Sequence, residues 1–430
     1  MALAIAAAPT IVPKARTAPM GEEARLMLDL QRDVEVDLER AFRAGERYHV
    51  CVVSETFAPD VNGVALTLAH LVAGLRARGH QVSIVRPRRR DLDAPGVPGD
   101  PTLTLVPGMA LPGYRSVRVG LPTGAMLRAH WRRRPPDVVY VATQGPLGWS
   151  AVRAARRLGL PILGGFHTNF HVYARHYHAG WVEQIIARYL GRFHNRTTAT
   201  LVPTIDLRGQ LHRHGFRNVH VLGRGVDGGL FTPARRSASL RRAWGVTDAD
   251  PVALYVGRVA PEKNVRLAIA AYRAMQRVVP SCRLIIVGDG PLRGGLERAN
   301  PDLFFTGMLT GVPLATHFAS ADLFLFPSET ETFGNVTLEA LASGLVVVAF
   351  DYAAARVHVT RGRTGTLVDC GDTGGFVDAA VALASAPEQL HRMRQHVRES
   401  VAHLHWDRVV ERFEALLAEV SRVPTASART

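Results

Sequence analysis

The sequence predicts an α/β protein with two Rossmann-like domains, whose parallel sheets face each other across a cleft. Its 430 residues are too many for one ordinary hydrophobic core and fit two domains of about 200 residues each. In both halves, short apolar runs that end in turn residues alternate with longer segments of helical periodicity, a pattern typical of parallel, doubly wound sheets. Hydrophobic residues make up 47% of the chain and charged residues 21%, as in globular enzymes.

Four segments are expected along the chain. They are residues 1–47, 48–228, 229–405 and 406–430. Apolar residues recur every three or four positions between Glu22 and Arg47, which predicts an amphipathic helix after a disordered start. The two central segments are the two domains. The last segment contains a predicted helix from Trp406 to Val420 and a disordered tail.

The predicted strands are short apolar runs that end in turn residues. In the first domain they lie at 49–54, 81–86, 102–106, 137–141, 161–165, 199–203 and 219–222. In the second domain they lie at 252–256, 283–287, 303–306, 323–326, 346–350 and 365–368. The segment from Arg88 to Pro122 is rich in proline, glycine and arginine and is interpreted as mostly loop.

The stretch from Ser328 to Gly344 is the first candidate ligand site. It contains Glu331 and Glu339 and turns into a helix near the run Thr-Phe-Gly-Asn at 332–335. The first N–H groups of a helix lack intrahelical partners and attract anions, while carboxylates accept hydrogen bonds from hydroxyl groups. A nucleotide sugar, anionic at one end and rich in hydroxyls at the other, would fit this stretch. The alternative is a capped helix with two solvated acids.

A second candidate site is the turn from Gly257 to Asn264, which contains Arg258 and Lys263. The chain has 52 Lys and Arg residues, of which only Lys14 and Lys263 are lysines. A lysine retained against this arginine bias indicates a need for the compact ammonium group, which binds phosphate as a point charge. The alternative is chance survival of one surface lysine.

The motif Gly-Arg-x-x-x-Glu-Lys-Asn at 257–264, followed by Glu-x7-Glu at 331–339, resembles the group 1 (family 4) retaining glycosyltransferases of B-type architecture. The resemblance extends from about Tyr48 to Arg408. It implies an acceptor domain at 48–228, a donor domain at 229–405 and a last helix that returns to the first domain. The implied reaction moves a hexose of the mannose or glucose class from GDP-mannose or UDP-glucose to a lipid, lipid-linked or saccharide acceptor.

The resemblance also implies roles for individual residues. The implied catalytic residues are His167, Glu331, Arg258 and Lys263. The implied donor-binding residues are Gly63, Arg258, Lys263, Met308, Glu331, Phe333, Gly334, Asn335, Val336 and Glu339. The two cations would neutralise the diphosphate, Glu331 and His167 would face the sugar from opposite domains, and Glu339 would accept hydrogen bonds from the ribose.

No metal or other cofactor is expected, because the helix start and the two cations can neutralise the leaving diphosphate. Two Asp-x-Asp pairs resemble the metal-binding motif of many sugar transferases, but they are interpreted as surface residues. They are Asp91 with Asp93 and Asp248 with Asp250. The histidines at 171–178 lack the spacing of a tetrahedral metal site and are interpreted as an acceptor-side loop.

The formal net charge of +15 admits nucleic acid, an anionic membrane surface or an anionic substrate as partner. The clusters Arg86–Arg90 and Arg132–Arg134 contain few aromatic residues, so nucleic acid is not expected. They favour an anionic membrane surface, the alternative being an ordinary arginine-rich surface. Three widely separated cysteines and no apolar run of about 18 to 20 residues predict a cytoplasmic protein, with peripheral attachment to the inner face of the cell membrane as a further expectation.

Other functions are also compatible with parts of this pattern. A sugar-nucleotide epimerase or phosphorylase could share the twin-domain plan, and a non-catalytic nucleotide-sugar-binding protein could share the site. Donor hydrolysis or transfer would separate both from a glycosyltransferase. A dinucleotide oxidoreductase is disfavoured, because no Gly-x-Gly-x-x-Gly follows the first strand of either half.

Overall fold

The computed structural model of the protein describes residues 46–60, 62–89, 93, 102–111, 114–167 and 180–423. The predicted disordered start and tail, Asp91 and the histidines at 171–178 lie outside these residues. The helix predicted from Glu22 also lies outside them, apart from Glu46 and Arg47, which are not helical.

The described residues form both strands and helices. The strands are β1 His49–Val53, β2 Gln81–Pro87, β3 Leu103–Val106, β4 Gly108–Leu111, β5 Tyr114–Gly120, β6 Val138–Val141, β7 Ile162–Gly165, β8 Ala199–Val202, β9 Val219–Val221, β10 Val252–Val256, β11 Arg283–Val287, β12 Phe304–Gly307, β13 Leu323–Phe326, β14 Val346–Phe350 and β15 Gly365–Val368. The helices are α1 Gly63–Ala77, α2 Gly124–Arg133, α3 Pro146–Arg157, α4 Gly180–His194, α5 Ile205–Arg213, α6 Ala238–Ala243, α7 Val265–Val278, α8 Arg293–Ala299, α9 Gly311–Ser320, α10 Asn335–Ala342, α11 Ala353–His358, α12 Thr373–Ala384, α13 Pro387–Val397 and α14 Trp406–Ser421.

The first sheet has, within the described residues, seven parallel strands in the order β3-β2-β1-β6-β7-β8-β9. Its inner strand β1 is at most 1% exposed from Val50 to Val53. A strand buried on both faces needs apolar residues at every position, which is why the sequence shows it as a continuous run. The chain reverses its order between β1 and β6, so their carboxyl ends form a topological switch point, where such sheets bind ligands.

The second sheet has six parallel strands in the part of the chain that the structure describes, in the order β12-β11-β10-β13-β14-β15. Its switch point lies between β10 and β13, which are hydrogen-bonded neighbours. Both strands are almost fully buried, and a large apolar core surrounds them.

These two sheets confirm the predicted fold class. The observed bounds of β10, β11, β13, β14 and β15 coincide with the predicted ranges. Strand β12 is shifted by one residue at both ends, and the other strands of the two sheets differ from prediction by one residue at one end. Fully buried parallel strands give the clearest sequence signal, since their apolar runs are uninterrupted.

The prediction of a loop between Arg88 and Pro122 was wrong. Strands β4 and β5 form an antiparallel hairpin there, with Met109 paired to Val119. Proline and glycine residues lie at the ends of both strands, so the sequence pattern did not indicate the hairpin. A Cβ at Gly108 would lie 2.7 Å from Pro87 Cβ, so this glycine allows the hairpin to approach β2 closely.

Helix α14 packs against α1 and the first sheet. Its fully buried large apolar side chains are Phe413, Leu416 and Leu417, and burial of each such side chain contributes about 1.5 to 3 kcal/mol. The two helices approach closely at Gly74, where a Cβ would lie 2.4 Å from Val410 Cγ2. The buried Glu414 adds a polar contact through its Oε1, which lies 2.7 Å from His80 Nε2.

Candidate active site

Both predicted donor loops lie at the switch point of the second sheet. The loop from Gly257 to Asn264 follows β10, and the loop from Pro327 to Gly334 follows the neighbouring β13. Because the two strands are parallel and adjacent, their carboxyl ends bring the loops together at one edge of the sheet. The sequence predicted each loop by itself, and the strand order explains why they meet.

The first loop carries two cations of different exposure. Arg258 has a 44% exposed side chain, and its Nη1 donates to Glu262 Oε1 at 3.1 Å. Lys263 ends a short 3-10 turn, Pro261–Lys263, and is 20% exposed. Asn264 follows in the left-handed conformation with φ of 52° and leads into α7. Arg258 therefore faces solvent more than Lys263, which lies between the two loops.

Lys263 contacts the second loop directly. Its Nζ forms an ion pair and hydrogen bond with Glu331 Oε1, which also accepts from Ser328 Oγ at 2.8 Å. A further link joins Thr330 Oγ1 to the carbonyl of Glu262 at 2.8 Å. No described residue hydrogen-bonds Glu331 Oε2, which leaves this oxygen for a ligand. An incoming diphosphate would compete with Glu331 for the ammonium group.

Helix α10 begins as predicted, directly after Phe333 and Gly334. Gly334 occupies the N-cap position with φ of 92°, a left-handed conformation that favours glycine. The cap makes no side-chain hydrogen bond, so the first N–H groups of the helix, at Asn335 and Val336, are not satisfied by a capping side chain. The helix start therefore offers N–H donors to an anion beside Lys263 and Glu331.

Glu339 and Met308 complete the predicted donor residues of the second domain. Glu339 lies in the second turn of α10 and is partly buried; burial raises the pKa of its carboxyl group to about 7. Met308 follows β12 and is 57% exposed. The helix thus brings Glu339 near the donor loops, while Met308 lies at the edge strand of the sheet.

His167 follows β7 of the first domain, and both of its ring nitrogens have partners. Nε2 lies 3.1 Å from Tyr140 Oη, and Nδ1 lies 3.0 Å from Arg224 Nη2. A guanidinium group has only donors, so Nδ1 accepts and Nε2 carries the proton. A Cβ at Gly165 would lie 2.7 Å from both His167 Nε2 and Tyr140 Oη, so the preceding glycine makes room for this pair.

The imidazole of His167 is therefore neutral and held by the protein. Burial, followed by the charges of Arg224 and His194, lowers its pKa well below the usual range. Its backbone carbonyl, rather than its ring, reaches the donor loops, where it accepts a hydrogen bond from Thr332 Oγ1 at 3.0 Å. The sequence placed His167 near the donor sugar, and the structure connects it to the second loop through the main chain.

Arg224 is a site residue that was not predicted from the sequence. It is 6% exposed, and its Nη1 donates to the carbonyls of Leu222 and Gly223 at 3.0 and 3.1 Å. Burial lowers its pKa to about 10, so it stays charged at neutral pH. Its place between two glycines in the segment that joins the domains was the available signal, but its contact with His167 was not visible from the sequence.

Gly63 lies at the switch point of the first sheet, as the first residue of α1. Asn62 Oδ1 caps this helix by accepting from Val64 N at 3.1 Å and Ala65 N at 2.9 Å. A Cβ at Gly63 would meet no heavy atom of the described residues within 4 Å. Packing within the described part of the chain therefore does not require this glycine.

The aspartates of the two Asp-x-Asp pairs that the structure describes have structural partners. Asp93 was wrongly interpreted as a surface residue, since it is 9% exposed and its Oδ1 pairs with Arg86 Nη2 at 2.6 Å. Asp248 is 80% exposed, and Asp250 Oδ2 accepts from the backbone N–H of Thr247 at 2.7 Å. Among the described residues, no group of three His, Cys, Asp or Glu side chains could hold a metal ion.

In the first arginine cluster, Arg86–Arg90, two of the arginines are paired with acidic side chains. Arg86 is 5% exposed and bound to Asp93, and Arg89 Nη2 pairs with Asp60 Oδ1 at 2.5 Å. A charge that is buried and paired contributes little to long-range attraction. The second cluster, 132–134 at the end of α2, is exposed.

Comparison with known proteins agrees with this geometry. The family model described as glycosyl transferases group 1 matches residues 250–386, and the model described as glycosyltransferase family 4 matches residues 61–228. The GDP-mannose-dependent alpha-mannosyltransferase of Mycolicibacterium smegmatis is 35% identical over 379 residues, which cover 86% of this chain and 98% of the relative. The chain belongs to the group 1, family 4 glycosyltransferases.

Two further proteins, one similar in sequence and one in structure, resemble this glycosyltransferase. The alpha-monoglucosyldiacylglycerol synthase of Streptococcus pneumoniae is 25% identical over 309 residues, 69% of each chain. The crystal structure of HepE from Anabaena in complex with UDP has a TM-score of 0.69 and 17% identity, and the match covers 86% of this chain and 100% of HepE. The predicted family, B-type fold and enzyme class are confirmed. No helix of the described residues is long and apolar enough to cross a membrane.

Proposed function

We propose that the protein transfers mannose from GDP-mannose to a lipid, lipid-linked or saccharide acceptor, with retention of the anomeric configuration. The observation that carries the proposal is the pairing of Lys263 with Glu331 beside the open start of α10, because it joins a phosphate-binding cation to a hydroxyl-binding carboxylate. The mannosyltransferase relative, which is 35% identical, supports the choice of donor. UDP-glucose is the second candidate, since the structurally similar HepE binds UDP.

In the proposed reaction the bond between the sugar C1 and the β-phosphate oxygen breaks, and the acceptor oxygen forms the new bond to C1 on the same face. The acceptor proton passes to the leaving phosphate oxygen, so no protein nucleophile is needed. Arg258, Lys263 and the N–H groups at the start of α10 take up the charge on the departing nucleotide. Glu331 Oε2 binds the sugar hydroxyls, and Glu339 binds the ribose.

Ligand-induced thermal shift tests the donor. We expect GDP to raise the melting temperature more than UDP or ADP at equal concentration, because a ligand that binds the folded state stabilises it by RT ln(1 + [L]/Kd). Turnover of GDP-mannose and UDP-glucose then identifies the sugar. A shift with UDP alone would assign the second candidate. Donor binding without hydrolysis or transfer would instead support a non-catalytic binding protein.

The pH dependence of donor binding tests the role of Glu339. A pKa of about 7 means that this carboxyl group is protonated below pH 7 and ionised above it, and only the ionised form is a pure acceptor for ribose hydroxyls. We therefore expect the affinity for GDP-mannose to rise about tenfold between pH 6 and pH 8, measured by isothermal titration calorimetry. Glu339→Gln should bind more weakly and without this slope. A flat profile in the wild type would contradict the assignment.

Metal removal tests the proposed absence of a cofactor. Because fixed cations and the helix start can neutralise the leaving group, transfer in EDTA should stay within about twofold of the rate without chelator. Rates are measured with and without EDTA, and then with added Mg²⁺ or Mn²⁺. A complete loss that the metals restore would show that the reaction uses an ion.

Membrane attraction tests the lipid acceptor. A relative named as a glucosyldiacylglycerol synthase and the exposed cluster 132–134 support a lipid at an anionic surface, to which each cation adds about 1 kcal/mol. We expect co-sedimentation with anionic but not neutral vesicles, weakening as salt rises. Replacing the arginines at 132–134 with glutamine should reduce binding more than the control pair Arg156→Gln and Arg157→Gln at the end of α3. Protein left in the supernatant at low salt would favour a soluble saccharide acceptor.

A further inference from the structure

We propose that Tyr255 and Tyr352 are positioning residues, which hold the main chain of the two donor loops in the geometry needed for transfer. Neither side chain belongs to the predicted donor site. Each hydroxyl instead donates to the backbone carbonyl of a residue that does, Arg258 in the first loop and Glu331 in the second. The inference rests on the donor site proposed above and adds to it the groups that keep its loops in place.

Tyr255 holds the first loop from the buried strand β10. It is the fourth residue of β10 and is 0% exposed, so the strand and the core around it fix its ring. Its hydroxyl donates to the carbonyl of Arg258 at 3.1 Å, and the N–H of Ala260 donates to the same carbonyl at 3.0 Å. The main chain that carries the Arg258 guanidinium is thereby tied to the buried strand.

Tyr352 supports the second loop from the side of β14. Its hydroxyl donates to the carbonyl of Glu331 at 2.5 Å, and the N–H of Ala354 donates to the carbonyl of Phe333 at 2.8 Å. Between them, Ala353 has φ of 53°, a left-handed conformation disfavoured for a residue with a Cβ. Backbone of this kind persists where surrounding structure holds it, and such sites cluster at ligand clamps and active sites.

These two hydrogen bonds differ from the other contacts that join the loops. The ion pair between Lys263 and Glu331 uses the groups that the diphosphate and the sugar would bind, so donor binding must weaken it. The two tyrosine hydrogen bonds end on the backbone carbonyls of Arg258 and Glu331, which are not among the groups proposed to bind the donor. They can therefore persist when the donor is bound, at the stage when the position of the loops decides the rate.

The test replaces each tyrosine with phenylalanine, which removes the hydroxyl and keeps the ring. We expect Tyr255→Phe and Tyr352→Phe each to lower kcat for GDP-mannose by about tenfold, with KM within about twofold, because misplaced groups cost transition-state stabilisation more than ground-state binding. Tyr272→Phe is the matched control. Tyr272 is also buried in the second domain, and its hydroxyl lies 3.4 Å from a backbone carbonyl, that of Cys282 before β11, so turnover should not change.

A double-mutant cycle separates positioning from a general loss of structure. If Tyr352 acts through Glu331, the double variant Tyr352→Phe with Glu331→Gln should be no slower than Glu331→Gln alone, since coupled residues are non-additive. Multiplied losses would overturn the proposal for Tyr352. Single variants that behave like Tyr272→Phe would overturn it for both tyrosines.

Amide hydrogen exchange gives a readout that does not depend on the identity of the donor. We expect Tyr352→Phe to increase exchange at the N–H of Ala354, which is bonded to Phe333, and Tyr272→Phe to leave it unchanged. Unchanged exchange in Tyr352→Phe would overturn the proposal whatever the donor is. A different outcome is also informative, in which exchange increases while Glu331→Gln turns over like the wild type. The proposed donor site would then be wrong. The tyrosines would have a structural role only, so their positioning role would be overturned too.

Discussion

Replacement of Lys263 with alanine is expected to lower transfer from GDP-mannose by about 100- to 1,000-fold, the cost of removing one preorganised group that stabilises transition-state charge. Among the described residues, Lys263 joins the two donor loops directly, through its ion pair with Glu331. The substitution also leaves the partly buried Glu331 without its countercharge, which adds repulsion toward the diphosphate. Steady-state kinetics measures the loss, and circular dichroism checks that the fold is kept.

Lys263→Arg should fail as well, because a planar guanidinium is larger than an ammonium group and presents its donors in a fixed fork. The side chain is 20% exposed and lies between two loops that are linked to each other. Arg266→Ala provides the control, since Arg266 lies three residues away on α7 and is exposed; its removal should change turnover less than twofold. Near-normal activity in Lys263→Arg would contradict the argument from lysine scarcity.

The parts of the fold that could be predicted from the sequence are those that local pattern determines. Strands β10, β13 and β14 are buried on both faces, so every position is apolar and the run is plain. The start of α10 was also predictable from local pattern, because Gly334 marks a left-handed position at the end of a polar turn. Local signals of this kind sufficed to find both donor loops.

What could not be predicted depends on which distant residues meet. Nothing near His167 in the sequence indicates that Arg224, 57 positions away, holds its Nδ1. The pairing of Arg86 with Asp93 was likewise hidden, and it changed an apparent surface cluster into a buried ion pair. The hydroxyls of Tyr255 and Tyr352 bind backbone carbonyls, contacts for which residue type gives no sign. Tertiary packing supplied each of these contacts.

Replacement of Asp322 with alanine is expected to lower the free energy of unfolding by about 3 to 5 kcal/mol, the cost of breaking a buried ion pair by removing one partner. Asp322 is 4% exposed and directly precedes β13. Its carboxylate pairs with Arg236, Arg241 and Arg394, with N–O distances of 3.1, 3.1 and 2.6 Å. The substitution would leave these guanidinium groups without their buried countercharge, beneath the strand that leads to the second donor loop.

Asp248→Ala provides the matched control, because Asp248 approaches two of the same arginines at 3.7 and 3.4 Å but is 80% exposed. An exposed ion pair contributes about 0 to 1 kcal/mol, so this variant should unfold almost like the wild type in urea. Asp322→Asn should fall between the two, since the amide keeps one acceptor oxygen and loses the charge. Equal stability of Asp322→Ala and Asp248→Ala would mean that the arginine cluster does not depend on its buried carboxylate. In that case, hydrogen bonds from the arginines to backbone carbonyls must offset the cost of burying three cations. One such bond joins Arg241 Nη1 to the carbonyl of Ser320 at 2.8 Å.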